Sequence, residues 1–213
     1  MAPLTAYFVR HGESQANVDR IFANRLGCSA PLTPVGLAQA ETLTRILKSV
    51  PVTHVYTSPL NRARQTAALV ASEFGVPSTT HDALREYDVG DFEGESYAGE
   101  GAWRWLRYEA VERAWREGSD RACHPGGERL VELEARFMPF MTMLAAQQNP
   151  TDVLMLVGHG GLYRAMLPKL FQNISLEYAW IHQLGHGDVV IAEYVEARWC
   201  CLQWGNERLP RSW

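Results

Sequence analysis

The chain has 213 residues, with 20 Lys and Arg against 24 Asp and Glu, so its formal net charge at pH 7 is −4. Hydrophobic residues make up 46% and charged residues 21% of the sequence, a balance that is typical of a soluble globular protein and excludes intrinsic disorder. The net charge indicates no broad basic surface, and we therefore expect no nucleic-acid partner.

The N-terminus, the apolar runs and the cysteines indicate the compartment. Residues 1–9 lack the basic segment and the small-residue cleavage site of a signal peptide. The longest buried-looking runs, residues 153–157 and 189–192, are too short to cross a bilayer. The four cysteines are Cys28, Cys123, Cys200 and Cys201. None forms a C-x-x-C pair, so we expect reduced thiols in a cytoplasmic protein that makes no membrane contact.

Strand and helix signals alternate along the first 80 residues. Residues 5–9 are rich in β-branched and aromatic side chains and predict the first strand. A Thr-Pro pair, typical of a helix start, and leucines at helical spacing predict a helix over residues 34–48. Residues 52–57 are the second predicted strand, and residues 61–74 the second helix, which Gly and Pro end.

The same alternation returns near the C-terminus. Residues 153–157 are a near-continuous apolar run, as in a central strand that is buried on both faces. A helix is predicted from residue 162 to about residue 167, ahead of a proline, and residues 189–195 and 199–204 predict a hairpin that turns at 196–197. Repeated strand–loop–helix units predict an α/β fold, a three-layer α/β/α sandwich with a mostly parallel central sheet.

Between residues 88 and 128 this alternation stops. The stretch is rich in Gly, Trp, Glu and Arg and contains one predicted helix, over residues 102–116. We interpret it as a small cap-like insertion within a single domain that spans residues 1–213. Its tryptophans are interpreted as packing residues: Trp103, Trp105 and Trp115.

Reactive side chains follow three of the predicted strands. Arg10 and His11 come after the first strand, Arg62 shortly after the second, and His159 after the strand at 153–157. Because ligands bind at the carboxyl ends of the strands in doubly wound sheets, we expect these residues to converge on one crevice.

This set of side chains suits the chemistry of a phosphate ester. Two guanidinium groups offer forked donors that match phosphate oxygens. A neutral imidazole can attack phosphorus and form a phosphohistidine, and a second, protonated imidazole would stabilise the oxygens as charge builds. The leaving alkoxide needs a proton, and Glu86, which precedes the insertion, is the best-placed donor.

Four motifs together resemble those of the histidine phosphatase (phosphoglycerate mutase-like) superfamily. They are Val9–Ser14 (VRHGES), Ser58–Ala67 (SPLNRARQTA), Leu84–Glu86 (LRE) and Gly158–Gly161 (GHGG). They extend over nearly the whole chain in the order that the family shows.

The resemblance implies a role for each matching residue. His11 would be the phosphorylated nucleophile, with Arg10, Arg62 and His159 forming the phosphate pocket. Glu86 would donate the proton and later activate water. The family needs no metal, and we expect neither a metal nor another cofactor.

Substrate binding is expected beside this pocket, in the loop at 21–25 and the insertion. The residues predicted to bind phosphate or substrate are Asn17, Phe22, Ala23, Asn24 and Gly160. Three residues of the insertion are predicted to reach the leaving group: Arg104, Arg107 and His124. Phe22 and Trp103 favour an organic group over a highly charged one. The expected partner is a small phosphorylated metabolite, and a homodimer is left open.

Two positions depart from the family pattern. Gly158 stands where many relatives carry serine before the second histidine. Gly185-His186-Gly187 stands where asparagine is common, and we assign it no role. His182 and His186 are four residues apart, as metal ligands on a helix can be, but the intervening glycine argues against a helix and so against a metal site.

Two activities share this set of residues. The run Glu86–Gly94 (EYDVGDFEG) resembles the phosphatase branch of the family, and the chain is short for a mutase. We predict a metal-independent phosphomonoester hydrolase. A cofactor-dependent phosphoglycerate mutase and a non-catalytic phospho-ligand binding module are the alternatives.

Overall fold

The computed structural model describes residues 3–27 and 30–210. The strands in these residues are β1 (Leu4–Arg10), β2 (His54–Thr57), β3 (Ser78–Thr80), β4 (Val153–Gly158), β5 (Val189–Val195), β6 (Arg198–Trp204) and β7 (Glu207–Arg208). The helices are α1 (Gln15–Asp19), α2 (Pro34–Ile46), α3 (Asn61–Phe74), α4 (Ala102–Arg116), α5 (Leu130–Gln147), α6 (Gly160–Leu170) and α7 (Leu176–Ile181). Short 3-10 helices lie at Asp82–Leu84, Gly90–Phe92 and Gly99–Gly101.

All seven strands form one sheet in the order β3-β2-β4-β1-β5-β6-β7. The half from β3 to β1 is parallel, whereas β5, β6 and β7 continue it in antiparallel pairs. The predicted α/β fold is therefore confirmed, but the sheet is mixed rather than mostly parallel. The difference arises because β5 pairs with the edge of β1 that faces away from β4 and runs in the opposite direction, and because β6 and β7 follow β5 as successive antiparallel neighbours.

Helices cover both faces of the sheet, which gives the three predicted layers. Alternate residues of β1 and β4 point to opposite faces: Phe8 and Leu156 lie in one apolar cluster with residues of α5, α6 and α7. Val9 and Val157 lie in a second cluster with residues of α2 and α3. The parallel half of the sheet is thus buried on both sides, as the apolar run in β4 predicts.

The element boundaries agree with the sequence pattern at several points. Helices α3 and α4 span the predicted residues, and Glu196 and Ala197 adopt left-handed φ values of 51° and 63°, as in the tight turn of a hairpin. Helix α6 is longer than predicted, because its proline, Pro168, lies in the last turn and removes only one backbone donor there. Residues 88–128 contain α4 and two of the 3-10 helices, and their reading as an insertion stays a prediction.

Two observations bear on the expected absence of membrane contact and on the cysteine thiols. In residues 3–27 and 30–210, no helix combines the length and the apolar character needed to span a membrane. Cys123 is an exposed thiol and Cys201 a buried one, whereas Cys28 lies outside the described residues.

Two glycines allow α2 to pack directly on the loop that follows β1. A Cβ atom at Gly12 would lie 2.4 Å from the carbonyl oxygen of Gly36, and one at Gly36 would lie 2.0 Å from the carbonyl oxygen of Glu13. Thr33, the N-cap of α2, donates from its hydroxyl to the Glu13 carboxylate at 2.7 Å and accepts from the backbone N–H of Gly36 at 3.0 Å. The loop that carries His11 is therefore held by the N-terminus of α2.

The end of β4 explains one departure from the family pattern. A Cβ atom at Gly158 would lie 2.6 Å from the hydroxyl oxygen of Tyr163, a fully buried residue of α6. That hydroxyl donates to the carbonyl of Leu156 at 2.6 Å. The tyrosine side chain thus fills the space that a serine at position 158 would need.

We expect Gly158→Ser to lower the free energy of unfolding by about 1–3 kcal/mol, because it inserts atoms into a packed site. Denaturant unfolding measures the cost. In a Tyr163→Leu background the same substitution should cost less, since the space is then available. Equal costs in the two backgrounds would show that Tyr163 is not the obstacle.

Candidate active site

The parallel pairing of β1 with β4 brings two histidines together. Arg10 lies opposite Gly158 in the register, and the next backbone N–H, that of His11, donates to the carbonyl of Gly158 at 3.1 Å. The ring centroids of His11 and His159 are 5.0 Å apart. The two histidines, which are 148 positions apart in sequence (159 − 11), thus meet at the carboxyl edge of the sheet, as predicted.

The hydrogen bonds of His11 define which of its ring nitrogens carries the proton. Nδ1 lies 2.7 Å from the carbonyl oxygen of Gly12, which can only accept, so Nδ1 carries the proton. Nε2 then has a lone pair and accepts from Nε of Arg62 at 3.0 Å. Burial and the positive charges of Arg62 and Arg10 hold the pKa of His11 well below its usual value. The imidazole is therefore neutral at neutral pH, with Nε2 available to attack an electrophile.

Arg62 is buried beside His11. From the first turn of α3, its Nη1 donates to the carbonyl of Ala23 at 2.5 Å and its Nη2 to the side-chain oxygen of Asn24 at 3.3 Å. Burial lowers the pKa of the guanidinium to about 10, which still leaves it charged at neutral pH. This fixed cation is in position to bind an anion at Nε2 of His11.

A second guanidinium, that of Arg10, is held by the loop between α7 and β5. Its Nη1 donates to the carbonyl of Leu184 at 2.5 Å, and its Nη2 lies 2.9 Å from Nε2 of His186. Because arginine can only donate, His186 accepts through Nε2. Burial, and then the charge of Arg10, lower the pKa of His186 to about 4, which keeps the ring in this accepting form. His186, to which the sequence analysis assigns no role, thus orients one of the two cations.

His159 is fully buried behind His11. Its Nε2 lies 2.7 Å from the hydroxyl oxygen of Ser58, while its buried Nδ1 has no hydrogen-bond partner within the described residues. Burial and the charge of Arg62 hold the pKa of His159 well below its usual value. Burial and the two nearby arginines thus favour the neutral ring, and the protonated form that is expected as charge builds on a phosphate stays a prediction.

Glu86 is a buried carboxyl group at the same edge. Its Oε1 accepts from the backbone N–H of Tyr87 at 3.1 Å and its Oε2 from that of Gly161 at 2.9 Å. Burial nevertheless raises the pKa of Glu86 above its usual value. A Cβ atom at Gly161 would lie 2.9 Å from both carboxyl oxygens, so glycine is required there for this approach. A carboxyl group in this setting suits a proton donor.

These groups surround a cavity of about 160 Å³. Nine of the ten predicted site residues line it: Arg10, His11, Asn17, Phe22, Ala23, Asn24, Arg62, Glu86 and Gly160. The tenth, His159, lies behind His11 rather than in the wall. The roles assigned to these residues stay predictions, but the structure places them around one space.

The insertion residues that are predicted to reach the leaving group do not line this cavity. None of Arg104, Arg107 and His124 belongs to the described lining. Arg104 pairs with Glu95 at 2.8 Å, and the buried ring of His124 packs on Phe92. The packing role expected for the three tryptophans holds for buried Trp115, whereas Trp105 faces the cavity. Helical spacing alone does not reveal which face of α4 packs and which faces the cavity.

A buried ion pair joins helix α4 to helix α6. Nη2 of Arg164 donates to both carboxylate oxygens of Glu112, at 2.6 and 2.8 Å, and the hydroxyl of Tyr87 donates to the same carboxylate at 3.0 Å. Arg164 also lines the cavity. The residue after Glu86 is thus tied to both helices.

The described residues contain no group of three or more His, Cys, Asp or Glu side chains arranged to hold a metal ion. His182 and His186 serve different contacts, since the ring of His182 stacks on Tyr178 at 4.1 Å while His186 faces Arg10.

Replacing His186 with alanine should weaken the binding of inorganic phosphate, because Arg10 loses a partner that orients it. From the usual worth of one hydrogen bond we expect a loss of about 3- to 10-fold, measured by titration calorimetry. His186→Asn, whose side-chain oxygen can accept, should recover most of the affinity. His182→Ala, in an exposed residue near the start of the same loop, should bind as the wild type does. Unchanged affinity in His186→Ala would refute the orienting role.

Comparisons with known proteins identify the family to which this site belongs. The model of the histidine phosphatase superfamily (branch 1) matches residues 6–207. The chain is 30% identical over 183 residues to the adenosylcobalamin/alpha-ribazole phosphatase of Escherichia coli, covering 85% of each protein. It is 33% identical over 168 residues to a 2,3-bisphosphoglycerate-dependent phosphoglycerate mutase of Methylobacterium, covering 76% of this chain and 77% of that protein.

A solved structure of a phosphatase has the same fold. A mycobacterial glucosyl-3-phosphoglycerate phosphatase, solved with VO3, superposes with a TM-score of 0.78 at 26% identity, covering 96% of this chain and 100% of that one. These matches confirm the family that the four motifs predict, and with it the expected class of enzyme, the histidine-type phosphatases. The chain belongs to the histidine phosphatase superfamily, branch 1.

Proposed function

We propose that this protein hydrolyses phosphomonoesters of small metabolites through a phosphohistidine on His11. The observation that carries the proposal is the arrangement around Nε2 of His11. A neutral imidazole, with its proton fixed on Nδ1 by the carbonyl of Gly12, lies in hydrogen-bond contact with the buried guanidinium of Arg62. Nucleophile and anion-binding group therefore meet at one atom.

In the first step, Nε2 of His11 attacks phosphorus, an N–P bond forms, and the P–O bond to the alcohol breaks. Arg10 and Arg62 line the same cavity and would bind the phosphoryl oxygens, whose charge they balance. Nδ1 of His159, a buried atom with no hydrogen-bond partner within the described residues, would bind one of these oxygens if the phosphoryl group reaches it. The leaving alkoxide takes its proton from Glu86.

In the second step, Glu86 is a carboxylate and removes a proton from water. The resulting hydroxide attacks phosphorus, the N–P bond breaks, and inorganic phosphate leaves with His11 restored. The backbone N–H groups of Tyr87 and Gly161 stabilise the carboxylate during this half of the cycle. One residue thus serves as acid and then as base.

The similar proteins include both phosphatases and mutases, so their names alone do not decide between the two activities. The Escherichia coli and mycobacterial relatives are named as phosphatases and the Methylobacterium relative as a mutase. The run Glu86–Gly94 supports the phosphatase assignment. Following phosphate release and phosphoglycerate isomerisation in one sample separates the two activities.

We expect acid-quench labelling of the wild type with a radioactive phosphomonoester to leave an acid-labile, alkali-stable phosphate on His11. His11→Ala should carry no label and lose phosphate release by at least about 10³-fold, because the covalent route is removed. His54→Ala, on strand β2, is the matched control and should behave as the wild type does. Full turnover by His11→Ala would overturn the mechanism.

The raised pKa of Glu86 predicts the direction of the pH dependence. The acid form is needed in the first step, so kcat/KM for an alkyl phosphate should fall as the pH rises through this pKa. Since burial raises the pKa, that fall should lie above the usual range of a glutamate. A pH profile with no such fall would contradict the assignment.

Glu86→Ala should lower kcat/KM for an alkyl phosphate by about 10²- to 10⁴-fold. The loss should be much smaller for 4-nitrophenyl phosphate, whose leaving group departs without a proton. A misfolded variant would lose both activities equally. A larger loss for the alkyl phosphate than for 4-nitrophenyl phosphate therefore excludes misfolding as the cause.

A further inference from the structure

One wall of the active-site cavity is built from aromatic side chains. Phe22, Tyr97, Trp105 and Tyr108, here called the aromatic wall, all line the cavity. Their rings form a continuous set: the centroids of Phe22 and Tyr97 are 4.8 Å apart, those of Tyr97 and Trp105 5.1 Å, and those of Trp105 and Tyr108 5.0 Å. Ring faces arranged in this way favour contact with another ring.

The aromatic wall is held in place by backbone and side-chain contacts. The backbone N–H of Phe22 donates to the carbonyl of Glu95 at 3.1 Å, and the carbonyl of Phe22 accepts from Gly94 at 2.9 Å. Phe22 and Tyr108 are buried, and the indole N–H of Trp105 donates to Glu109 at 2.9 Å. Trp105 itself is 39% exposed, so part of its surface is available to a ligand without a change in packing.

The charges in the cavity restrict the ligand further. Its lining arginines, within the described residues, are Arg10, Arg62 and Arg164. The first two belong to the phosphate end, and Arg164 is already paired with both oxygens of Glu112. Because Glu112 balances the charge of Arg164, the described lining offers no uncompensated cation, beyond those that bind the phosphoryl group, for a second anionic group on the substrate.

From these two observations we propose that the aromatic wall is the leaving-group subsite and that it selects phosphomonoesters of uncharged alcohols carrying a ring. A ring on the alcohol would pack on Trp105 and its neighbours while His11 attacks the phosphate. A leaving group with a carboxylate or a second phosphate would lose its hydration without gaining a partner. The inference rests on the proposed phosphatase function and specifies its substrate class.

Four esters of primary alcohols with similar leaving groups test the selection. They are benzyl, cyclohexylmethyl and ethyl phosphate, and phosphoglycolate. We expect kcat/KM for benzyl phosphate to exceed that for ethyl phosphate roughly tenfold or more, as burial of a ring on an aromatic surface predicts. Phosphoglycolate should be the poorest substrate. Cyclohexylmethyl phosphate distinguishes stacking of a flat aromatic ring from packing of any ring.

A pair of tryptophans on α4 provides the matched variants. Trp105→Leu should reduce the ratio of kcat/KM for benzyl over ethyl phosphate by about fivefold or more. Trp103 is also exposed but packs on Phe92 and does not line the cavity, so Trp103→Leu should retain the wild-type ratio. Thermal unfolding of both variants checks that each is folded.

The outcomes separate this proposal from the function on which it rests. Phosphate release with no preference for benzyl over ethyl phosphate, or with phosphoglycolate preferred, would overturn the aromatic subsite and leave the phosphatase intact. Equal effects of Trp105→Leu and Trp103→Leu would also overturn it. No phosphate release from any ester, with no label on His11, would instead refute the proposed function.

Discussion

The parallel pairing of β1 with β4 is the constraint on which the site depends. It aligns Arg10 with Gly158, so that the residues after the two strands, His11 and His159, leave the sheet side by side. Both strands are buried on two faces, and a slip of one residue would move each apolar side chain from the cluster it packs in to the opposite one. The free energy that stabilises the sheet therefore also fixes the distance between the two imidazoles. Helices α2 and α3 then hold the loop that carries His11. Gly36 of α2 packs on this loop, and Thr66 of α3 accepts from the backbone N–H of Gly12.

The electrostatics of the site follow from burial beside two guanidinium groups. Burial, together with the charges of Arg62 and Arg10, holds the pKa of both histidines well below its usual value, and burial raises the pKa of Glu86. The positive charge at the site thus resides on arginines, which remain charged when buried, and not on the two histidines. A phosphate dianion bound there would balance this charge and raise the pKa of His159 toward the protonated form.

Much of this site could be predicted because its residues occur in short contiguous motifs at strand ends. His186 could not, because its contact with Arg10 joins residues far apart in sequence and depends on the path of the loop before β5. Trp105 could not be distinguished from Trp103 without knowing which face of α4 packs. The antiparallel half of the sheet was also beyond prediction, because the pattern of β5 and β6 predicts a hairpin but not its neighbour in the sheet. Helix α5, which contains Pro139, was likewise not predicted.

The ion pair between Glu112 and Arg164 links the position of α4 to that of Glu86. Arg164 on α6 and the hydroxyl of Tyr87 both donate to the Glu112 carboxylate, and Tyr87 directly follows Glu86 in the chain. Removing one partner of such a buried pair leaves an uncompensated charge and costs about 3–5 kcal/mol. A displacement of α4 would therefore disturb the residue beside Glu86 as well as the part of the cavity wall that carries Trp105.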